Sequence, residues 1–175
     1  MSRFSKTLEL LRQGRLGFLI DETMSGVHEF EPGFGPSGIL PMEFKVTWGA
    51  RDLVQWLNPN GDHFMTVDLE GTVTIDGLCQ LAPCQGKLAL KYFDERKIRY
   101  TFTFTIDGRE YRYVGEKVNI RPWNLPVSHT TCFGTLTEVA TGKLVSKSVT
   151  HFRMRTVPEF AASLRWAVAP GRRAA

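Results

Sequence analysis

No stretch of this 175-residue sequence approaches the roughly 20 consecutive apolar residues that a membrane-crossing helix needs, so a helical membrane protein is not expected. Cysteine is scarce. Cys79, Cys84 and Cys132 are an odd number, which argues for reduced thiols and against a disulfide framework. The four histidines are scattered, and the Cys79–Cys84 spacing has no second ligand pair at short range, so no metal site is expected. G-x-S-x-G, H-E-x-x-H and the phosphate-binding G-x-x-x-x-G-K-[ST] are all missing, which removes the strong enzyme signatures. The N-terminal "MSRFSKTLELLRQGRLGFLI" breaks its apolar residues with bases and has no continuous apolar core or small-residue cleavage site. It does not read as a signal peptide, and the expected location is the cytoplasm.

What is present is ordinary globular material, 42% hydrophobic and 23% charged, at a length that suits one domain with one core. The net charge of +4 is uneven. From Lys143 to the end there are seven bases and one acid, Glu159, whereas residues 1–142 carry fifteen bases and seventeen acids. These bases alternate through "VSKSVTHFRMR" and end in "GRRAA", the pattern of a solvated strand face and a tail rather than of a nucleic-acid contact.

One stretch mimics a known ligand loop. "GFGPSG", Gly33–Gly38, has the G-x-G-x-x-G spacing of dinucleotide-binding turns. That motif works only where a helix opens from it and aims backbone N–H groups at a phosphate. Here a period-two segment follows, and Pro36 removes a donor, so the stretch reads as a connector between strands with no cofactor.

The patterning predicts an all-β domain. Residues 1–14 carry Phe4, Leu8 and Leu11 at helical spacing. Alternation then marks strands through "RLGFLIDETMSG", "LPMEFKVTWG" and "HFMTVDLEGTVTI", with Gly71 suggesting a bend or bulge in the last. Asp52 can cap a helical turn in "DLVQWLNPNG". In "KIRYTFTFTIDGREYRYVGEKVNI" two alternating runs flank Asp107-Gly108, the dipeptide of a two-residue type I′ hairpin. A second hairpin spans "HTTCFGTLTEV" and "KLVSKSVTHFRM", and Thr156 with Glu159 forms a capping box for a closing helix over 156–168, before a tail at 169–175. About eight antiparallel strands over 16–154, with short connections and mid-strand glycines, predict an up-and-down barrel flanked by two helices, an open half-barrel being the alternative.

"DETMSG", "GARDLVQWLNPNGDHFMTVDLEGTV", "GKLALKYFDERKIRYTFTFTIDGREYRYVGEKV" and "HTTCFGTLTE" follow one another in an order that resembles a lipocalin-like, or calycin-like, domain. That domain is known chiefly as an appendage of bacterial cholesterol-oxidase-like flavoproteins of the glucose-methanol-choline oxidoreductase family. The resemblance covers Phe18 to Phe152 and departs from the family's pattern at His129, where an Asp is expected before Thr130 and Thr131. It implies a barrel and a setting in lipid or steroid metabolism. It implies no oxidase activity, because the flavin-binding part of those enzymes is a separate and much larger domain, and it carries over no catalytic residue.

Two charges fall on faces that point into such a barrel. Strand parity puts Glu22 with Phe18 and Ile20, and Lys117 with Tyr111 and Tyr113, so an internal Glu22–Lys117 ion pair is expected. A lysine so placed offers a base or a Schiff-base nucleophile as the functional alternative. His129, on a strand face with Thr131, is a third and weaker catalytic candidate. The aromatic residues Trp48, Tyr92, Tyr100 and Phe102 are candidates to line a ligand pocket. Phe104, Tyr111, Tyr113 and Trp123 extend that set, and a lumen filled by these same rings is the competing expectation.

The sequence therefore favours a stand-alone binding module for an apolar or amphipathic small molecule, steroid-like or lipid-like, without a cofactor. Two alternatives stay open: an enzyme of lipid or steroid metabolism using Glu22, Lys117 and His129 at the barrel mouth, and an accessory subunit docking on a lipid-handling enzyme such as an oxidoreductase. A homodimer is a further option.

Overall fold

The computed structural model describes residues 3–92, 95–119, 130–152 and 157–168. Helix α1 (Arg3–Arg12) leads into β1 (Leu16–Phe30), β2 (Ile39–Gly49), the short α2 (Leu53–Trp56), β3 (Thr66–Ile75), β4 (Cys79–Lys91), β5 (Lys97–Ile106) and β6 (Arg109–Lys117). Strands β7 (Thr131–Glu138) and β8 (Leu144–Phe152), helix α3 (Val157–Ser163) and β9 (Arg165–Val168) follow.

Strands β1 to β8 pair in sequence order, each antiparallel to the next, and β8 returns to β1. The result is a closed eight-stranded barrel, as the short connections predict. β1 is the seam: at fifteen residues it pairs with β2 along most of its length, with β8 from Met24 to Phe30, and with β9 from Leu16 to Leu19.

The β5–β6 hairpin closes as the sequence predicts. Asp107 and Gly108 both adopt positive φ, 49° and 76°, between the paired residues Ile106 and Arg109. "GFGPSG" joins β1 to β2, and no helix opens from it. In α2 the Asp52 carboxylate accepts from the N–H groups of Val54 and Gln55 at 2.9 and 3.2 Å, the capping expected of it.

Two local expectations need correction. The closing helix ends at Ser163 rather than running to 168, and Arg165–Val168 forms β9 instead. The first residues of β1 extend beyond the reach of β8, and their backbone groups take β9 as partner. Gly71 lies in unbroken register with Val46 and Cys84; the irregularity in β3 falls between Val73 and Ile75. No bulge falls at Gly71, where a Cβ would sit 2.0 Å from the Lys45 carbonyl oxygen of β2, so close approach of the two strands requires the glycine.

Inward-facing residues fill the waist of the lumen. Phe44 reaches from β2 to three rings on β5 and β6, with centroids 5.6 Å from Tyr100, 5.5 Å from Phe102 and 5.7 Å from Tyr113. Phe102 stacks on Tyr113 at 4.8 Å, and Phe104 on Tyr111 at 5.7 Å. Each fully buried ring of this kind contributes about 1.5–3 kcal/mol of hydrophobic stabilisation. Gly134 on β7 makes room for the Tyr113 phenol, whose oxygen lies 2.2 Å from where a Cβ would stand.

Candidate functional site

Strand parity decides which charges enter the barrel. On β1 the even-numbered residues face inward, so Glu22 is buried while Asp21 is exposed. Lys117, the last residue of β6, is paired in register with Ile98 and also points inward. Glu22 and Lys117 are 5% and 4% exposed, and Lys117 Nζ donates to Glu22 Oε1 at 2.8 Å. The ion pair expected from the sequence is present.

Two further donors complete it. The Tyr100 hydroxyl lies 3.0 and 2.9 Å from the two Glu22 oxygens, and Trp48 Nε1 donates to Oε2 at 2.9 Å. The lysine cation also stands over the Tyr100 ring, 5.2 Å from its centroid, and over Phe152 at 5.9 Å. A carboxylate removed from water costs several kcal/mol, and this one offsets that cost with an ammonium, a phenol and an indole. Burial, and then the Glu22 charge, hold the Tyr100 phenol well above its ordinary pKa; the same two causes push Tyr92 up to about 12. Neither phenol ionises near neutral pH, so Tyr100 remains a donor.

The expected pocket residues divide among three levels. Trp48, Tyr100 and Tyr92 lie at the end where β1 enters; Phe102 and Tyr113 fill the waist; Phe104 and Tyr111 stack toward the hairpin end. Trp123 and His129 lie outside the described residues. Thr131, weighed beside His129 in the sequence, instead meets His151, its cross-strand partner, with Oγ1 and Nδ1 3.2 Å apart.

Sequence reasoning named Trp48 and Tyr92 but missed Phe18, Trp56 and Phe152, which join them in a set of aromatics near the ion pair. Phe18 meets Trp48 edge-on at 6.0 Å and Trp56 at 5.2 Å. Together with Tyr92 and Phe152 these side chains are only partly buried, whereas the rings at the waist are sealed. The alternation of β1 placed Phe18 inside but carried no information on depth. Trp56 Nε1 is buried and has no hydrogen-bond partner among the described residues. This end of the barrel therefore has a charged floor, an aromatic rim and an unused donor. The set offers apolar ring surface beside one buried N–H donor.

The concavities of the described residues include two on the outer wall. One, of about 780 Å³, crosses β3, β4 and β5 over polar side chains such as Asp68, Lys87 and Thr101. The other, of about 560 Å³, is apolar and runs over Val27, Ile39, Phe133 and Val149. Among the described residues no three of His, Cys, Asp and Glu converge on a metal-sized site, and no helix is long and apolar enough to cross a membrane.

The closed antiparallel barrel is consistent with a lipocalin-like fold. No family model matches the chain, and no curated protein or solved structure matches it, so the resemblance to the oxidoreductase-attached domain has no support beyond the fold.

Proposed function

We propose that the chain is a binding module that holds a small apolar or amphipathic molecule at the end of the barrel where β1 enters. The observation that carries this reading is the Glu22 cluster: a carboxylate hydrogen-bonded to Lys117, Tyr100 and Trp48 beneath the partly buried rings of Phe18, Trp56, Tyr92 and Phe152. A barrel that needed only stability would do as well with apolar residues at these positions, since a buried ion pair is often neutral or costly beside a packed hydrophobic substitute. With the waist filled, the ligand of this reading would lie among the rim rings rather than deeper than Phe44, which favours a short or flexible one. Fatty acyl compounds fit that description, and steroids are the rigid apolar alternative to test beside them.

The test is a thermal-shift screen of steroids, fatty acids and acyl esters, followed by titration of tryptophan emission. A ligand that raises the melting temperature should lose its effect in Trp56→Phe, which keeps an aromatic ring but removes the unpaired N–H. If no member of these classes raises the melting temperature, the reading fails.

A second reading rests on the outer wall. Val27, Val149 and Phe133 are cross-strand neighbours on β1, β8 and β7, and Val27 and Phe133 are exposed. An apolar row of this kind suits docking on a protein, which would make the chain an accessory subunit or a homodimer. Sedimentation of the wild type against Phe133→Ser decides whether the row is used.

A further inference from the structure

The large apolar side chains left in water are concentrated at the end where the ion pair sits. Leu8 lies on α1, Val54 and Leu57 on and beside α2, and Leu164, Trp166 and Val168 lie beside or within β9; all six are exposed. Their elements meet around the first residues of β1. A Cβ on Gly14, at the exit of α1, would come within 2.5 Å of Asp52, the cap of α2. Phe18 touches Trp56 at the end of α2 and is the register partner of Trp166, as Leu16 is of Val168. Directly opposed residues of an antiparallel pair share a face. Trp166, 71% exposed, therefore stands on the face of Phe18, which leads inward to Trp48 and Glu22.

Charge follows the same division. Residues 3–15 hold four bases and one acid, and residues 151–175 hold five bases and one acid, whereas residues 16–150 hold thirteen bases and sixteen acids. The basic excess of the sequence thus lies toward its two ends, and of these bases Arg12 on α1, Arg15 just before β1 and Arg165 on β9 stand at the mouth. Asp21, an exposed acid beside β9, is already engaged by Arg165 at 2.9 and 3.1 Å. The apolar row on the outer wall differs, because it is bordered by both signs, Glu29 and Glu116 with Lys147.

We propose that this mouth docks on an anionic lipid surface. Trp166, Val168, Leu164 and Leu57 enter the headgroup region, and Arg12 and Arg15 face the lipid phosphates. Tryptophan and isolated aliphatic side chains backed by bases are the chemistry of a membrane interface. An apolar ligand would then pass from the bilayer along Trp166 and Phe18 without crossing water. This passage rests on the binding reading above, whereas the docking does not.

The experiment uses the full chain and co-sedimentation with vesicles of phosphatidylcholine alone or mixed with phosphatidylglycerol. Binding is expected to the mixed vesicles only and should weaken as salt is raised. Trp166→Ser with Val168→Ser should lower the apparent affinity by about tenfold or more, and Arg12→Gln with Arg15→Gln by about tenfold. Leu81→Ser, at an exposed apolar residue of β4 outside both the mouth and the outer-wall row, should change nothing. Leu57→Ser supplies a second mouth variant, should the β9 changes disturb folding as judged by circular dichroism. No sedimentation with the mixed vesicles, undiminished binding by folded mouth variants, or equal loss in Leu81→Ser overturns the proposal. So does self-association that depends on Trp166 in place of vesicle binding. Thermal shift with a soluble fatty acid separates the two claims. A shift without vesicle binding sinks the docking alone, and vesicle binding with no shift from any screened ligand sinks the binding reading alone.

Discussion

Glu22 and Lys117, ninety-five residues apart in the chain, meet at 2.8 Å inside the barrel with nearly all of both side chains withdrawn from water. Removing one partner strands the other. Lys117→Met should destabilise the fold by about 3–5 kcal/mol, and Glu22→Gln added to it should recover part of that loss. Chemical denaturation of the two single variants and the double variant reads the coupling; additive losses would mean that the pair does not act as one unit.

Phe44 predicts the state of the waist. Because its ring meets Tyr100, Phe102 and Tyr113 across the lumen, Phe44→Ala should cost about 3–5 kcal/mol. A much smaller loss by urea denaturation would show that the waist collapses or is loosely packed.

Gly134 and Tyr113 make a reciprocal pair. Gly134→Ala should cost about 1–3 kcal/mol by overpacking against the Tyr113 hydroxyl, and the cost should shrink in a Tyr113→Phe background. An equal cost in both backgrounds, measured by thermal melting, would place the strain elsewhere.

His28 should make stability depend on pH. It is almost fully buried, its Nε2 lies 3.0 Å from the Asp76 carbonyl oxygen, and its Nδ1 has no partner among the described residues. Burial lowers its pKa from the ordinary 6.5, with the Asp76 carbonyl opposing in part. The folded state then binds this proton less readily than the unfolded chain. The neutral-imidazole contribution to stability is complete above pH 6.5 and declines as pH falls toward the lowered folded value. His28→Gln should flatten the slope of denaturation midpoint against pH just below 6.5; an unchanged slope would assign it to other groups.

Gly108 tests the hairpin. With φ at 76°, Gly108→Val should cost about 1 kcal/mol or more through backbone strain alone, since no atom lies near enough to clash with a new Cβ. Unchanged thermal stability would argue that the turn relaxes into another type.

The barrel was legible because its signals are local. Alternation placed Glu22, Tyr100 and Lys117 inside, and Asp107-Gly108 located a turn, without reference to distant residues. Parity gives the side of a strand and not the height along the barrel, so it grouped Trp48 and Tyr100 with Phe104 and Tyr111, which stand at another level. The capping signal at Thr156 and Glu159 marks a helix start but not its end. Only the unpaired edge of β1, absent from the local pattern, turns Arg165–Val168 into a strand. The roles of Phe18 and Trp56 depend on the same long-range geometry.

The double duty of β1 has a consequence for how the barrel is made. Pairings from β1 to β8 join sequence neighbours and can form as the chain lengthens, but closure sets Val27 against Val149 and waits for β8. Until then β1 and β8 are open edges carrying apolar residues, and closing the ring brings together the most distant strands of the meander. Loop-closure entropy makes that last step slow, and it leaves the nearly finished sheet exposed to pairing with another chain. Among the barrel strands the seam is thus the pairing that the growing chain can complete last, and until it forms the sheet keeps two open edges.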